Sequence, residues 1–132
     1  MSVRFDVQLF SNDGTLIRGV SQYDINRVLR IRGLGLSDAP TIHLWKAGDE
    51  DAKCIEATLD NGDVVFTLPN EFTLTAFDIR LCVFALSGGD GRTICRLTIP
   101  VAKRAKPENY DDMIEGAGEV PAEDDNNEGI GE

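Results

Sequence analysis

Apolar and polar residues alternate with a period of two through most of the first hundred residues, and nearly every alternating run is closed by a turn signal. A period of two puts successive side chains on opposite faces of a pleated strand, whereas a helix needs apolar positions three and four apart. Val3, Phe5, Val7 and Leu9 face away from Arg4, Asp6 and Gln8, and "NDGT" at 12–15 follows with hairpin chemistry. "TLIRG" is a short second strand. "YDINRVLRIRG" places Tyr23, Ile25, Leu29 and Ile31 on one face with Arg27 interrupting it, and "TIHLWK" sets Ile42 and Leu44 against His43 and Trp45. "KCIEATL" groups Ile55, Ala57 and Leu59, and "DNGD" at 60–63 turns the chain into "VVFTL", which Pro69 ends. "NEFTLTAF" at 70–77 is compatible with a short helical turn or a bent connection. "DIRLCVFAL", the most apolar strand, belongs in the middle of a sheet. After the turn "SGGDG", the strand "RTICRLTIPV" turns Cys95, Leu97, Ile99 and Val101 inward, and Pro100 suits an edge or a bulge. The pattern predicts an all-β chain of about eight short strands in an antiparallel sandwich.

Charge divides the chain in two. Residues 1–107 hold 13 acids and all 13 Lys and Arg, whereas residues 108–132 hold ten acids and no Lys or Arg, so the whole formal charge of −10 lies in the second part. Such a segment is too acidic and too poor in large apolar residues to offset its ordering entropy. The expected organisation is a β-sandwich domain over 1–107 and a disordered acidic tail over 108–132. A neutral body with an acidic tail argues against a nucleic-acid partner, which demands clustered positive charge. No apolar run is long enough for a membrane helix, and no membrane partner is expected. The alternating N-terminus does not read as a signal peptide.

Few residues suggest chemistry. His43 is the sole histidine and sits in a strand, without a partner motif for nucleophilic or metal chemistry. "SGGDGR" has the glycines of a phosphate loop without its G-K-[ST] ending. "DDNNEG" at 124–129 matches the first half of a calcium loop, but the twelfth position would fall beyond Glu132, and "GDEDAK" at 48–53 reads as a solvated loop. Cys54, Cys82 and Cys95 lack metal or redox spacing and are expected to be reduced thiols. Neither a cofactor nor a metal is expected, and the chain does not read as an enzyme. Trp45 shares the face of His43, so that face is either covered or presents an aromatic anchor.

The C-terminal part of the body runs Val101, Arg104, Pro107, Tyr110, a "V-x-x-R-x-x-P-x-x-Y" pattern. It follows strand, "D-G" turn, strand, "L-P", bent segment, central strand, "D-G" turn and last strand. This plan resembles the N-terminal domain of phage baseplate upper proteins and related small β-sandwich domains of phage tail and neck proteins, over most of residues 3–112. The resemblance implies an Ig-like β-sandwich that serves as a virion structural protein. It would be made in the host cytoplasm, attached to other virion proteins of the tail or baseplate, and homo-oligomeric on the particle. The alternatives are a capsid decoration or head-fibre protein and a carbohydrate-binding or adhesin module. Candidate interface residues are His43 and Trp45 on the strand face, the basic collar Lys103, Arg104 and Lys106 with Pro107, and Tyr110, Met113 and Ile114 at the start of the tail.

Overall fold

A computed structural model of the chain describes residues 7–118. Within them the elements in order are β1 (Leu9–Ser11), β2 (Leu16–Ile17), β3 (Val20–Ser21), β4 (Val28–Ile31), β5 (Thr41–Trp45), β6 (Lys53–Glu56), β7 (Thr58–Asp60), β8 (Asp63–Thr67), a 3₁₀ turn (Asn70–Thr73), β9 (Ile79–Ser87), β10 (Asp90–Ile99), β11 (Val101–Ala102) and helix α1 (Tyr110–Gly118). The strands form a five-stranded sheet in the order β2-β1-β4-β8-β7, a four-stranded sheet in the order β10-β9-β5-β6, and a two-stranded pair of β11 with β3. The described residues are all-β apart from the 3₁₀ turn and the short helix.

Both large sheets turn their apolar alternates into one core. Leu29, Ile31, Val64 and Phe66 come from the five-stranded sheet and Ile42, Leu44, Ile79, Leu81, Val83, Cys95 and Ile99 from the four-stranded one. The alternation is close to that of the sequence: Ile42 and Leu44 are fully buried, while His43 and Trp45 are half-buried on the other face. Strand β9 lies between β10 and β5, the interior position its apolar run called for. Two of the hairpins turn on consecutive residues with positive φ, Asn61–Gly62 (53° and 85°) and Gly88–Gly89 (59° and 84°). That is the backbone a tight two-residue loop needs to match strand twist.

The first hairpin carries its own lock. Asp13 accepts a hydrogen bond from the Ser11 hydroxyl and another from the Thr15 N–H at 2.9 Å. These bonds to the charged carboxylate, the Ser11 one foremost, lower its pKa to about 2. A carboxylate depressed in the folded state stabilises above its unfolded pKa of about 3.9, and that contribution is lost as pH falls toward 2. A carbon-detected NMR titration is expected to place the native Asp13 midpoint near 2, and Ser11→Ala is expected to raise it. A wild-type midpoint at the ordinary aspartate value would rule the lock out.

The structure departs from the sequence reading in several places. There are eleven strands among the described residues, because bends divide runs that alternate continuously. The stretch 53–59 is two strands in different sheets. At Ala57, which is buried and whose N–H donates to the Pro40 carbonyl at 3.3 Å, the chain steps from the four-stranded sheet to the five-stranded one. Tyr23 and Ile25 do not extend the face of Leu29 and Ile31. Tyr23 has φ 70° and lies in a loop tied to the 3₁₀ turn, by Tyr23 N–H to Thr73 C=O at 2.8 Å and Thr73 Oγ1 to Asp24 C=O at 2.8 Å. Arg27 leaves the face because it pairs with Asp24 at 2.8 Å. The pairing is not wholly antiparallel either, since β11 runs parallel to β3. Finally, residues 110–118 are helical and Tyr110 is buried, where charge composition predicts disordered chain from 108. Pro107 and Asn109 start that helix by accepting the Tyr110 and Met113 N–H groups at 3.1 and 3.0 Å, and Tyr110 supplies the apolar surface that charge counting overlooks. The rest of the expected tail, with the "DDNNEG" stretch, and the strand positions before Val7 lie outside the described residues.

Candidate docking surface

The outer face of the four-stranded sheet collects the side chains that alternate away from the core. Registers align them into rows across the strands. One row is Thr98, Arg80, Trp45; the next is Arg96, Cys82, His43, Cys54; a third is Thr93, Phe84, Thr41, Glu56. The His43 ring stacks on Phe84, with centroids 4.9 Å apart and planes at 21°. Cys82 is covered although it faces outward, and burial pushes its thiol pKa up against the opposing charge of Arg96 beside it.

A β-bulge sets which charges join this face. Thr93 pairs with Phe84 but Cys95 pairs with Val83, so Ile94 is the extra residue in β10. Simple alternation from Thr93 would carry Cys95 outward and Arg96 into the core. The bulge resets the parity, burying Cys95 and delivering Arg96 to the outer face.

Trp45, Arg80, Leu81, Arg96, Leu97 and Thr98 line a groove of about 280 Å³. Arg80 also borders a neighbouring recess with Ala47, Ala76, Phe77 and Asp78, where Phe77 is 68% exposed. On the other side, Leu97 and Thr98 are shared with a third recess that Arg18 helps to line. Across these three recesses the charged lining is three arginines and one aspartate. Among the described residues Arg18, Arg80 and Arg96 form no ion pair, whereas Arg30 and Arg32 on β4 and beside it are neutralised by Asp60 and Asp63.

The other expected interface residues form a second group around the entry to α1. Lys103, Arg104 and Lys106 make no ion pair with Glu108, Asp111 or Asp112. The Arg104 N–H instead donates to Gln22 Oε1 at 3.3 Å, and Lys106 Nζ lies 5.7 Å from the Tyr110 ring centroid. Tyr110 meets Tyr23 edge-on at 5.2 Å and 72°, while Pro107, Met113 and Ile114 are half-buried. This group therefore closes the fold, and Tyr110 in particular is unavailable as an exposed anchor. The acidic loop is likewise engaged locally: Asp49 accepts the Lys46 N–H at 2.9 Å and so shapes its own turn. Among the described residues no group of three His, Cys, Asp or Glu side chains is placed to hold a metal, and no helix is long and apolar enough to cross a membrane. All three cysteines are free thiols, Cys54 exposed and the other two buried.

Sequence reading singled out His43 and Trp45 but missed Arg80, Arg96 and Phe77. The parity of "ICRLTI" already sets Arg96 and Thr98 opposite Cys95, Leu97 and Ile99. What joins them to Trp45 is cross-strand register, which alternation does not encode. No protein-family model matches the chain, and no curated protein shows significant similarity to it.

Proposed function

We propose that the chain is a non-enzymatic structural protein of a phage virion, an attachment module that docks one face of an Ig-like β-sandwich onto a tail or baseplate neighbour. The sheet orders support the Ig-like reading. β1, β4, β8 and β7 follow the A-B-E-D order of that fold, and β10, β9 and β5 follow G-F-C, with β6 as an added edge strand. The observation that carries the attachment role is the groove of Trp45, Arg80 and Arg96. Tryptophan and arginine dominate the energetics of protein interfaces, and here they share one groove. The virion setting rests on the resemblance through Val101, Arg104, Pro107 and Tyr110. Val101 and Tyr110 of that pattern are buried, which suits residues that close a domain. Repetition of the module on the particle follows the same resemblance.

Particles purified from cells expressing the wild-type chain, or a Trp45→Ala/Arg96→Glu variant in its place, test this. The wild type is expected in the particles in repeated copies, with the groove against a neighbour in cryo-EM density. The variant is expected to keep its melting temperature and to fall at least ~10-fold in incorporation, the loss of roughly 1.4 kcal/mol or more of interface energy. Absence of the wild-type chain from purified particles overturns the virion reading, and undiminished incorporation of the variant overturns the choice of face.

A further inference from the structure

We propose that the groove of Trp45, Arg80 and Arg96 takes an extended acidic segment of a partner protein, one that presents two carboxylates two residues apart beside an apolar side chain. This names the partner chemistry of the attachment face and rests on the attachment reading for the choice of that face.

The groove continues at both ends. It shares Arg80 with the recess of Ala47, Ala76, Phe77 and Asp78, and it shares Leu97 and Thr98 with the recess that includes Arg18. The three form one trough across β5, β9 and β10 near one end of the four-stranded sheet, because Trp45, Arg80 and Thr98 stand opposite one another in register. Neighbouring strands lie about 4.8 Å apart, so the row from Trp45 to Thr98 spans roughly 10 Å, the length of about three residues of extended chain. With its two flanks the trough suits a strand-like segment of about six residues.

Charge gives the trough a direction. Asp78 and the exposed Phe77 lie at one end, Arg80 and Arg96 in the middle, and Arg18 at the other end. Arg18, Arg80 and Arg96 are exposed and form no ion pair among the described residues, whereas Arg27, Arg30, Arg32 and Arg92 each face an aspartate. A partner that brings carboxylates supplies pairs the fold does not provide, and the planar fork of arginine can take each carboxylate through two parallel hydrogen bonds. A neutral or basic partner would instead cover three unpaired charges, at a cost.

Register then sets the spacing. Arg80 is opposite Thr98, and Arg96 lies two residues before Thr98 on the same face, so the two arginines are diagonal neighbours with bases roughly 7–8 Å apart. Side chains on one face of an extended segment recur every second residue, about 6.6–7 Å apart. Carboxylates at such positions meet both arginines. Adjacent carboxylates point to opposite faces, and only one can engage. Trp45 and Phe77 take the apolar side chain, at the end where Asp78 disfavours a further acid. A sulfated glycan would meet the same arginines, but it offers nothing apolar to Phe77 and is repelled by Asp78.

Trp45 is the only tryptophan, so its fluorescence reports on the groove. The full chain is titrated with three terminally blocked peptides of glycine and serine, each with a leucine on both sides of the test pair so that chain direction does not matter. The pair is two glutamates separated by one serine, two adjacent glutamates, or two glutamines separated by one serine. The spaced-glutamate peptide is expected to shift Trp45 emission and to saturate with a Kd on the order of 1 mM at low salt. The adjacent pair should bind about 5-fold more weakly and the glutamine peptide at least ~10-fold more weakly. Arg80→Gln/Arg96→Gln should remove the preference for glutamate over glutamine while the melting temperature is kept. The glutamine peptide tests the charge match on unaltered protein, so misfolding of the variant cannot mimic the result. No saturable shift with the spaced peptide up to about 20 mM overturns the proposal, as does equal binding of any two of the three peptides. A glutamate preference that survives in the arginine variant overturns it as well. Displacement of the spaced peptide by a heparin hexasaccharide at a lower concentration than the peptide itself needs overturns it in favour of a glycan site. The particle experiment fails separately: lost incorporation of Trp45→Ala/Arg96→Glu without peptide binding keeps the face and removes the acidic partner, whereas peptide binding by a chain absent from particles removes only the virion setting.

Discussion

Tyr110→Ala is expected to lower stability by about 3 kcal/mol, while Tyr110→Phe is expected to raise it by about 1 kcal/mol. Both signs follow from one environment. The ring is 3% exposed and packs edge-on against Tyr23, with Lys106 on its face, so truncation to alanine forfeits a buried aromatic and a cation–π contact. The hydroxyl, however, is buried without a hydrogen-bond partner among the described residues. An orphaned polar group bears its desolvation penalty with nothing in return, and phenylalanine removes that penalty while keeping the ring. The same burial raises the phenol's pKa, and the charge of Asp111 adds to the shift. Thermal melts should show Phe about 4 °C above the wild type and Ala about 10 °C below it. A phenylalanine variant less stable than wild type would mean that the hydroxyl is satisfied. An alanine variant within 0.5 kcal/mol of wild type, the ordinary scatter of surface changes, would mean that the clasp at the head of α1 contributes nothing to the body.

Gly19→Ala is expected to cost about 3 kcal/mol through a backbone collision. A Cβ there would lie 2.5 Å from the carbonyl oxygen of Pro100 and 3.3 Å from its carbonyl carbon and Cβ. The oxygen cannot simply swing aside, because it accepts the Val20 N–H at 2.9 Å in the pair that joins β3 to β11. Relief therefore requires that bond to lengthen and the Gln22 N–H to Ala102 C=O bond, at 2.7 Å, to shift with it. Hydrogen exchange should report the damage locally, with the Val20 and Gln22 amides losing protection before those of β5 or β9. Unchanged melting with both amides still protected would show that the approach is looser than its geometry states.

The β class was legible because two-residue periodicity and Asn/Asp-Gly turns are local signals, and local chemistry decides them. The same holds for the inward set of β5, β8 and β9 and for the central place of β9. What escaped was non-local. The step between sheets at Ala57 leaves the alternation of 53–59 intact, so nothing in the string marks it. The parallel pair of β3 and β11 unites residues about eighty apart in the chain. The burial of Tyr110 was hidden because it stands among acids, and composition averages over the one residue that matters. For the groove, Trp45 stood out by type, whereas Arg80 and Arg96 become its neighbours only through register and through the bulge at Ile94.

The parallel pairing of β3 with β11 has a mechanical meaning. One strand lies near the start of the described chain and the other after the last long strand, and both run in the same direction. Tension applied through the two flanks would draw β3 backward and β11 forward along a common axis. The Val20–Pro100 and Gln22–Ala102 bonds would then bear the load together, in shear, and neither could peel away first. That pair would thus set the force at which the body opens, a useful property in any assembly that is pulled.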